Sequence, residues 1–546
     1  MSTQPQGDAF HIYDTTLRDG AQQEGLNLSV HDKMTIAKHL DDLGVGFIEG
    51  GWPGANPRDT QFFARVAKEM KFKNAQFVAF GATRRPNVKA ADDEQVRALL
   101  DSQAPIITVV AKSHDRHVDL ALKTSLDENL AMVRETIALL VKEGRRVFLD
   151  AEHFFDGYRA NKAYALEVVR VAMEAGADVA ALCDTNGGML PTEVADVVAE
   201  ALSVTGARVG IHCHNDTGCA IANSLAAIDA GATHVQGTLN GYGERTGNAD
   251  LVSIIANLEL KYKKPVLPAG HLQEAFRISH AVSEVTNIAP SPRQPYVGIS
   301  AFAHKAGLHA SAIKVDPALY QHTEPEFVGN DRRMLVSDMA GRASIELKSQ
   351  ELGVDLGGDK ELITRIVDRV KDMESKGFTF EAADASFELL VREEIAKKRP
   401  TFFSVEHWLT SVESDQDGSM ICKSTTDSAC ATMPLFQYNS IFKVCESSID
   451  TDCIAKFNAV DESGNLLDTK FSNYTVTNHI NAYPADAKYK IPAAGMPSIW
   501  NIPSLPHKDG TEFAIVAGEN GEVEQGGTES AKLGRYIQVS VVPVVL

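Results

Sequence analysis

Short runs of β-branched and aromatic residues recur along the first half of the chain, each ending in a polar or glycine-rich turn and separated by stretches of helical period. They are HIYDTT from His11, VGFIEGG from Val45, QFVAFG from Gln76, PIITVVA from Pro105, RVFLDAEH from Arg146, DVAALCDTN from Asp178, RVGIHCHND from Arg208 and HVQGTLNG from His234. Their starts are spaced about 26–41 residues apart. The intervals hold amphipathic segments such as SVHDKMTIAKHLDDLG, with Ser29 as its cap, and NKAYALEVVRVAMEAG, stopping at Gly176. Strand and helix alternating eight times predict an α/β fold, the (β/α)8 TIM barrel. An open doubly wound sheet would carry a GxGxxG turn after its first strand, and that turn here reads LRDGAQQEG.

The pattern changes beyond Leu260. The barrel is expected over 8–262, followed by mostly helical linker subdomains over 263–400 that contribute to the active site. Within the linker, KKPVLPAG and APSPRQPYVG flank a short helix, a His-rich segment follows, and KELITRIVDRVKDMESKG and AADASFELLVREEIAKKRP read as helices. A separate β-rich C-terminal domain is expected over 401–546, where only one arginine, Arg535, remains after Trp408. That tail holds Cys422, Cys430, Cys445 and Cys453, whose spacing does not match paired CxxC zinc ligands, and a glycosylation sequon at Asn473.

Composition narrows the partners. The formal charge is −20, with no arginine- and lysine-rich arm, which argues against nucleic acid and anionic membranes as ligands. No stretch approaches the ~20 apolar residues of a membrane span, and the first ten residues lack the apolar block of a signal peptide. Seven cysteines, an odd number, fit a reducing compartment, so a cytoplasmic location is expected.

In such a barrel, chemistry sits at the C-terminal ends of the strands, and polar residues gather there. His212 and His214 are two apart on the seventh strand, so both imidazoles point the same way. Asp19, after the first strand, offers a carboxylate from a nearby part of the closed ring, and Asn248 an amide oxygen from the loop after the eighth. This donor set, with open positions left for water, suits a catalytic Mn²⁺, Mg²⁺, Co²⁺ or Zn²⁺ ion. The bland alternative for an isolated HxH is packing. Cys213, between the histidines, faces the opposite way, and Cys183 and Cys219 read as small core residues. Arg18 can hold the oxygen of a carbonyl becoming an alkoxide, or simply pair with Glu49 or Glu152. Glu152 either positions the site or is a solvated acid. Thr185 either binds a substrate carboxylate or caps its turn. His304 and His309 reach the mouth only if their segment folds over it, from this chain or a second subunit.

Taken together, YDTTLRDGAQQEG (Tyr13–Gly25), HCHND (His212–Asp216), GTLNGYGERTGN (Gly237–Asn248) and AFAHKAGLH (Ala301–His309) resemble the signatures of the isopropylmalate, homocitrate and citramalate synthase family. GGWPGANPRD (Gly50–Asp59) and DAEHFFDGY (Asp150–Tyr158) are similar to the citramalate synthase branch. The resemblance covers residues 8–408. It implies a metal-dependent acyltransferase condensing acetyl-CoA with a 2-keto acid, pyruvate for that branch, giving (R)-citramalate on the way to isoleucine. It also implies Asp19, His212, His214 and Asn248 as metal ligands, and Arg18, Glu152 and His309 as catalytic residues. Gln22, Thr185 and Tyr320 would bind substrate, and a homodimer would present His309 across subunits. The branch's usual amino-acid-binding regulatory domain is not matched after TFFSVEHW (Thr401–Trp408). Hydroxyacyl-CoA lyases on a similar barrel are expected to carry a cysteine in the loop after the eighth strand, whereas NGYGERTGN has none. The remaining alternative is a non-catalytic barrel serving as a platform for the tail.

Overall fold

A computed structural model describes residues 9–398 and, farther on, the short segments 411–413, 499–500, 515–516 and 536–538. The eight apolar runs are eight strands: β1 (His11–Asp14), β2 (Phe47–Glu49), β3 (Gln76–Ala82), β4 (Ile106–Lys112), β5 (Arg146–Glu152), β6 (Val179–Asp184), β7 (Val209–Cys213) and β8 (His234–Gly237). They form a closed barrel in sequence order. All eight neighbouring pairs are parallel, including β1 with β8, where His11 stands beside His234 and Asp14 beside Gly237.

Local sequence explains the connections. Ser29 caps the helix Val30–Leu43 in a reciprocal box: its hydroxyl accepts from Asp32 N at 3.2 Å, and the Asp32 carboxylate accepts from Ser29 N at 2.8 Å. Asn161 caps Lys162–Glu174, and the chain leaves that helix through Gly176. Alternation along the strands builds two apolar layers. Tyr13, Phe47, Val78, Ile106, Phe148 and Val179 point inward and fill the barrel, while residues such as Ile12, Ile48, Ile107 and Leu149 pack outward against the helices. At roughly 1.5–3 kcal/mol per large side chain buried, these layers hold the ring rigid enough to carry a site at its rim.

The chain divides into two compact units, Met1–Ile363 and Thr364–Leu546. After the barrel, the first unit contains a helix over Ala275–Thr286. It also pairs two short parallel strands, Ala303–His304 and Arg333–Met334, and carries helices over Gly307–Ile313 and Arg342–Glu351. The two helices expected late in the linker run Lys360–Ser375 and Asp384–Ala396. In the second unit, Ser411–Glu413 pairs antiparallel with Tyr536–Gln538, and Ile499–Trp500 with Ile515–Val516. The four tail cysteines and the sequon lie outside the described residues. No helix among the described residues is long and apolar enough to cross a membrane.

Candidate metal centre

The C-terminal end of the barrel opens into a cavity of about 350 Å³. It is bordered by Arg18, Asp19, Gln22, Glu152, Thr185, His212 and His214, all expected from the sequence, and by Trp52, Phe80, Lys112, Asp150, Cys183 and Arg245, which were not.

Asp19 reaches the mouth because the chain turns sharply after β1: Arg18 N and Gly20 N both donate to Thr15 O, at 3.2 and 3.0 Å. His212 lies on β7 and His214 just beyond its end. Their ring centroids are 5.3 Å apart, and their Nε2 atoms lie 3.5 and 3.9 Å from the Asp19 carboxylate. One ligand atom from each of Asp19, His212 and His214 falls within 4.8 Å of the others, and all three residues are buried. Asn248 completes the group, its amide nitrogen donating to Asp19 Oδ1 at 3.1 Å and to Tyr242 O at 2.9 Å. The Asn248 Oδ1 and His214 Nδ1 atoms are buried without a hydrogen-bond partner among the described residues.

Glycine brings Asn248 there. Gly243 has φ +147°, and a Cβ on it would lie 2.3 Å from Asn248 Nδ2. At Gly247, with φ +85°, a Cβ would meet Gly241 O at 2.0 Å. The loop after β8 can fold this tightly only without side chains at those two positions.

Protonation favours a cation. Burial pushes His212 down to about 4, with His214 and Arg18 adding and Asp19 opposing, and burial likewise lowers His214. Both rings are therefore neutral near pH 7, with lone pairs free to coordinate. Burial alone would raise Asp19, yet Arg18, the two histidines and the Asn248 amide hold it well below the usual carboxylate range. The donors are thus ready-made: an ionised carboxylate and two neutral imidazoles fit a divalent metal, with Asn248 in contact with the carboxylate.

Arg18 is the one cation in direct contact with this carboxylate among the described residues. Its Nε donates to Glu49 at 2.6 Å, Nη1 to Asp19 at 2.7 Å, and Nη2 lies 3.7 Å from Asp150. Burial works against its charge, but Glu49, Asp19 and Asp150 together hold its pKa above the ordinary value. The guanidinium also lies 3.9 Å over the Phe80 ring, which fixes its plane. Glu49 is fully buried and taken up by Tyr13 Oη, Thr15 Oγ1 and Arg18. Of the two ion pairs expected for Arg18, the one with Glu49 forms. Glu152 instead pairs with Lys112 at the end of β4. Thr185 Oγ1 accepts from His153 N at 2.9 Å, so it braces its turn beside the cavity, and its own proton has no acceptor among the described residues.

The other expected residues fall elsewhere. His309 and Tyr320 stack on each other with ring centroids 4.1 Å apart, His304 stands 6.3 Å from His309, and none of the three borders the cavity of its own chain. Cys213 is buried in the outer apolar layer, as its alternation requires. Cys183 is a buried core residue that also borders the cavity, whereas Cys219 is half-buried at the start of a helix and lies outside the core. Burial pushes the Cys183 thiol up, away from nucleophilic thiolate.

Asp150 was missed as a site residue although alternation along β5 puts it on the same face as Glu152. Gln236 was missed too: a lone amide in HVQG carries no signal of its partners. Burial pushes Asp150 up to about 7, reinforced by Glu49 and opposed by Arg18 and the Gln236 hydrogen bond.

The HMGL-like family model matches residues 9–282, and the model for a homocitrate synthase post-HMGL domain-like region matches 296–377. The chain is 68% identical over 418 residues to an (R)-citramalate synthase of Streptomyces coelicolor, covering 77% of this chain and 78% of that one. It is 47% identical to an (R)-citramalate synthase of Aquifex aeolicus, over 77% and 79% of the two chains. Against a 2-isopropylmalate synthase of Methanocaldococcus jannaschii the identity is 35%, over 71% and 72%.

Proposed function

Because the chain belongs to the HMGL-like family, as an acyltransferase-type enzyme of the (R)-citramalate synthase group, we propose that it condenses acetyl-CoA with pyruvate to give (R)-citramalate and CoA. The observation that carries this reading is the buried Asp19, His212 and His214 cluster, with Arg18 donating to its carboxylate. Mn²⁺, Mg²⁺, Co²⁺ and Zn²⁺ all suit its donors, and Asn248 supplies a further oxygen. A divalent ion held there supplies Lewis acidity to the carbonyl of the keto acid.

The chain's own groups do the rest. Thr185 Oγ1 donates its free proton to the carboxylate of the keto acid. His309, directly or through a water, takes a proton from the acetyl methyl group. The resulting enolate carbon bonds to the keto carbon, and the C=O electron pair moves onto oxygen. Arg18, locked by Glu49 and Phe80, donates to that oxygen as charge develops, and the proton taken from the methyl group ends on it as the hydroxyl of the product. Glu152 and Lys112, as an ion pair, set the wall beside the reacting carbons without adding net charge. Water then cleaves the thioester, the carbonyl carbon keeping the new oxygen and the CoA sulfur leaving as thiol.

His309 must then come from a second copy of the chain. Its surroundings support that assembly: of fourteen large apolar side chains exposed among the described residues, seven lie between Ile299 and Met339, including Leu308, Val315 and Leu319. Exposed apolar side chains at that density in the segment around His309 fit a homodimer interface. Mixing His309→Ala and Asp19→Asn subunits should restore turnover that neither homodimer has; no restoration removes the cross-subunit role.

CoA release measured with pyruvate, 2-ketoisovalerate and 2-ketoglutarate tests the reaction itself. Pyruvate should give the highest kcat/KM, and preference for either of the others overturns the assignment.

A further inference from the structure

The two histidines of the cluster are not held alike. His214 Nδ1 is buried and has no partner among the described residues, whereas His212 Nδ1 lies 2.9 Å from Gln236 Oε1. Gln236 sits beside His212 in the β7–β8 register and reaches across the barrel, its Nε2 donating to Asp150 Oδ1 on β5 at 2.7 Å. All three side chains are buried, with Gln236 wholly inaccessible.

Donor and acceptor parity then fixes the chain of bonds. When Asp150 is ionised both its oxygens accept: one faces Arg18, which has donors only, and Oδ1 takes the Gln236 Nε2 proton. An acceptor at Asp150 obliges Gln236 to present Nε2 to it and therefore Oε1 to His212. An amide oxygen can only accept, so His212 carries its proton on Nδ1 and keeps the Nε2 lone pair, the atom 3.5 Å from Asp19.

We propose that Asp150 and Gln236 are positioning residues that set the tautomer of His212 and hold its Nε2 ready for the metal. This rests on reading the cluster as a metal centre, and it assigns that centre an order: His212 is the preset ligand and His214 the adaptable one. Buried partners of this kind commonly change metal affinity 10–100-fold.

The test combines imidazole ¹⁵N NMR of the metal-free full chain, which reads the tautomer directly, with Mn²⁺ titration of the same samples. The wild type should show Nδ1–H on His212, assigned by the signal lost in His212→Asn. Asp150→Asn lets the Gln236 amide reverse, so His212 should shift toward Nε2–H and Mn²⁺ affinity should fall about tenfold or more. Gln236→Met, which leaves the charge unchanged, should also weaken Mn²⁺ and free the tautomer. The double variant Asp150→Asn/Gln236→Glu rebuilds the chain with the amide and the carboxylate exchanged. The new amide on β5 donates, the new carboxylate on β8 accepts from both sides, and Nδ1–H should return with affinity near wild type. A wild type that shows Nδ1–H yet takes up no Mn²⁺ supports the tautomer assignment and overturns the metal reading. Unchanged tautomer and affinity in Asp150→Asn and Gln236→Met, or no rescue in the double variant, overturns the positioning role.

Discussion

One barrel holds two pairs of buried histidines, and their ring centroids are the same 5.3 Å apart. At the C-terminal mouth, His212 and His214 face Asp19. At the opposite end, His11 Nδ1 and His234 Nδ1 approach to 3.1 Å among the rings of Tyr13, Phe47 and Phe148. The difference lies in the charges nearby. Asp19 works to protonate the upper pair, while around His234 burial, His11, Arg208 and Arg146 all work against it. Both ends of the barrel pair their imidazoles; the carboxylate within reach is what sets the proposed metal site apart from the lower pair.

The sharpest way to break the contrast is to take the carboxylate away. Asp19→Asn keeps the shape of the mouth but leaves its two imidazoles without the facing carboxylate. Mn²⁺ affinity should fall at least 100-fold, on the order of 3 kcal/mol, and kcat/KM by about 10³-fold or more. Retained metal binding would mean that the upper histidines need no acid. Arg18→Lys is the next step down. A lysine keeps the charge but cannot span Glu49, Asp19 and Asp150 at once, so kcat should drop about 10²-fold. Metal content, measured by elemental analysis, should stay near wild type, which separates the arginine from the ligands.

The lower pair should act on stability alone. His234 is held well below its ordinary pKa, so the folded state leaves it neutral while the unfolded chain takes up a proton below about pH 6.5. Its contribution is complete above that pH and is lost as pH falls, at a slope of about 1.4 kcal/mol per pH unit. Denaturant titrations of wild type and His234→Asn between pH 7 and 5 should differ by a slope approaching that value, since the titrating groups away from the His11–His234 pair cancel in the difference. Turnover and Mn²⁺ affinity should change less than about threefold. A large loss of metal binding in this variant would join the two pairs into one system.

The eight strands were legible because each is a short apolar run ending at a polar turn, and a parallel ring leaves little choice of neighbour order. Asp19 and the HxH pair were legible from residue type and strand-end position. What stayed hidden depends on closure. Asp150, His212 and Gln236 meet only because β5, β7 and β8 share one interior, with Gln236 lying 86 residues from Asp150 and 24 from His212. Likewise nothing in the spacing of Lys112 and Glu152 says that β4 will draw that acid away from Arg18. The positions of His309 and Tyr320 were reached through family likeness, and within one chain they remain a stacked pair apart from the mouth.

The smallest effect belongs to the rim below the lower pair. Arg146 pairs with Asp178 through Nη2, and its Nε donates to the same carboxylate at 2.8 Å. Its guanidinium also lies 5.6 and 5.2 Å from the Phe47 and Phe148 ring centres. Arg146→Lys keeps the charge and loses the two-pronged geometry and the flat face. Because the pair is partly open to water, the loss should be only about 0.5–1 kcal/mol, read as a small fall in the denaturation midpoint that shrinks with added salt. kcat/KM for pyruvate should not move. If it does, the charges at the base of the barrel reach the reaction through Phe148 and Tyr13, and the separation between a reactive mouth and a structural floor gives way.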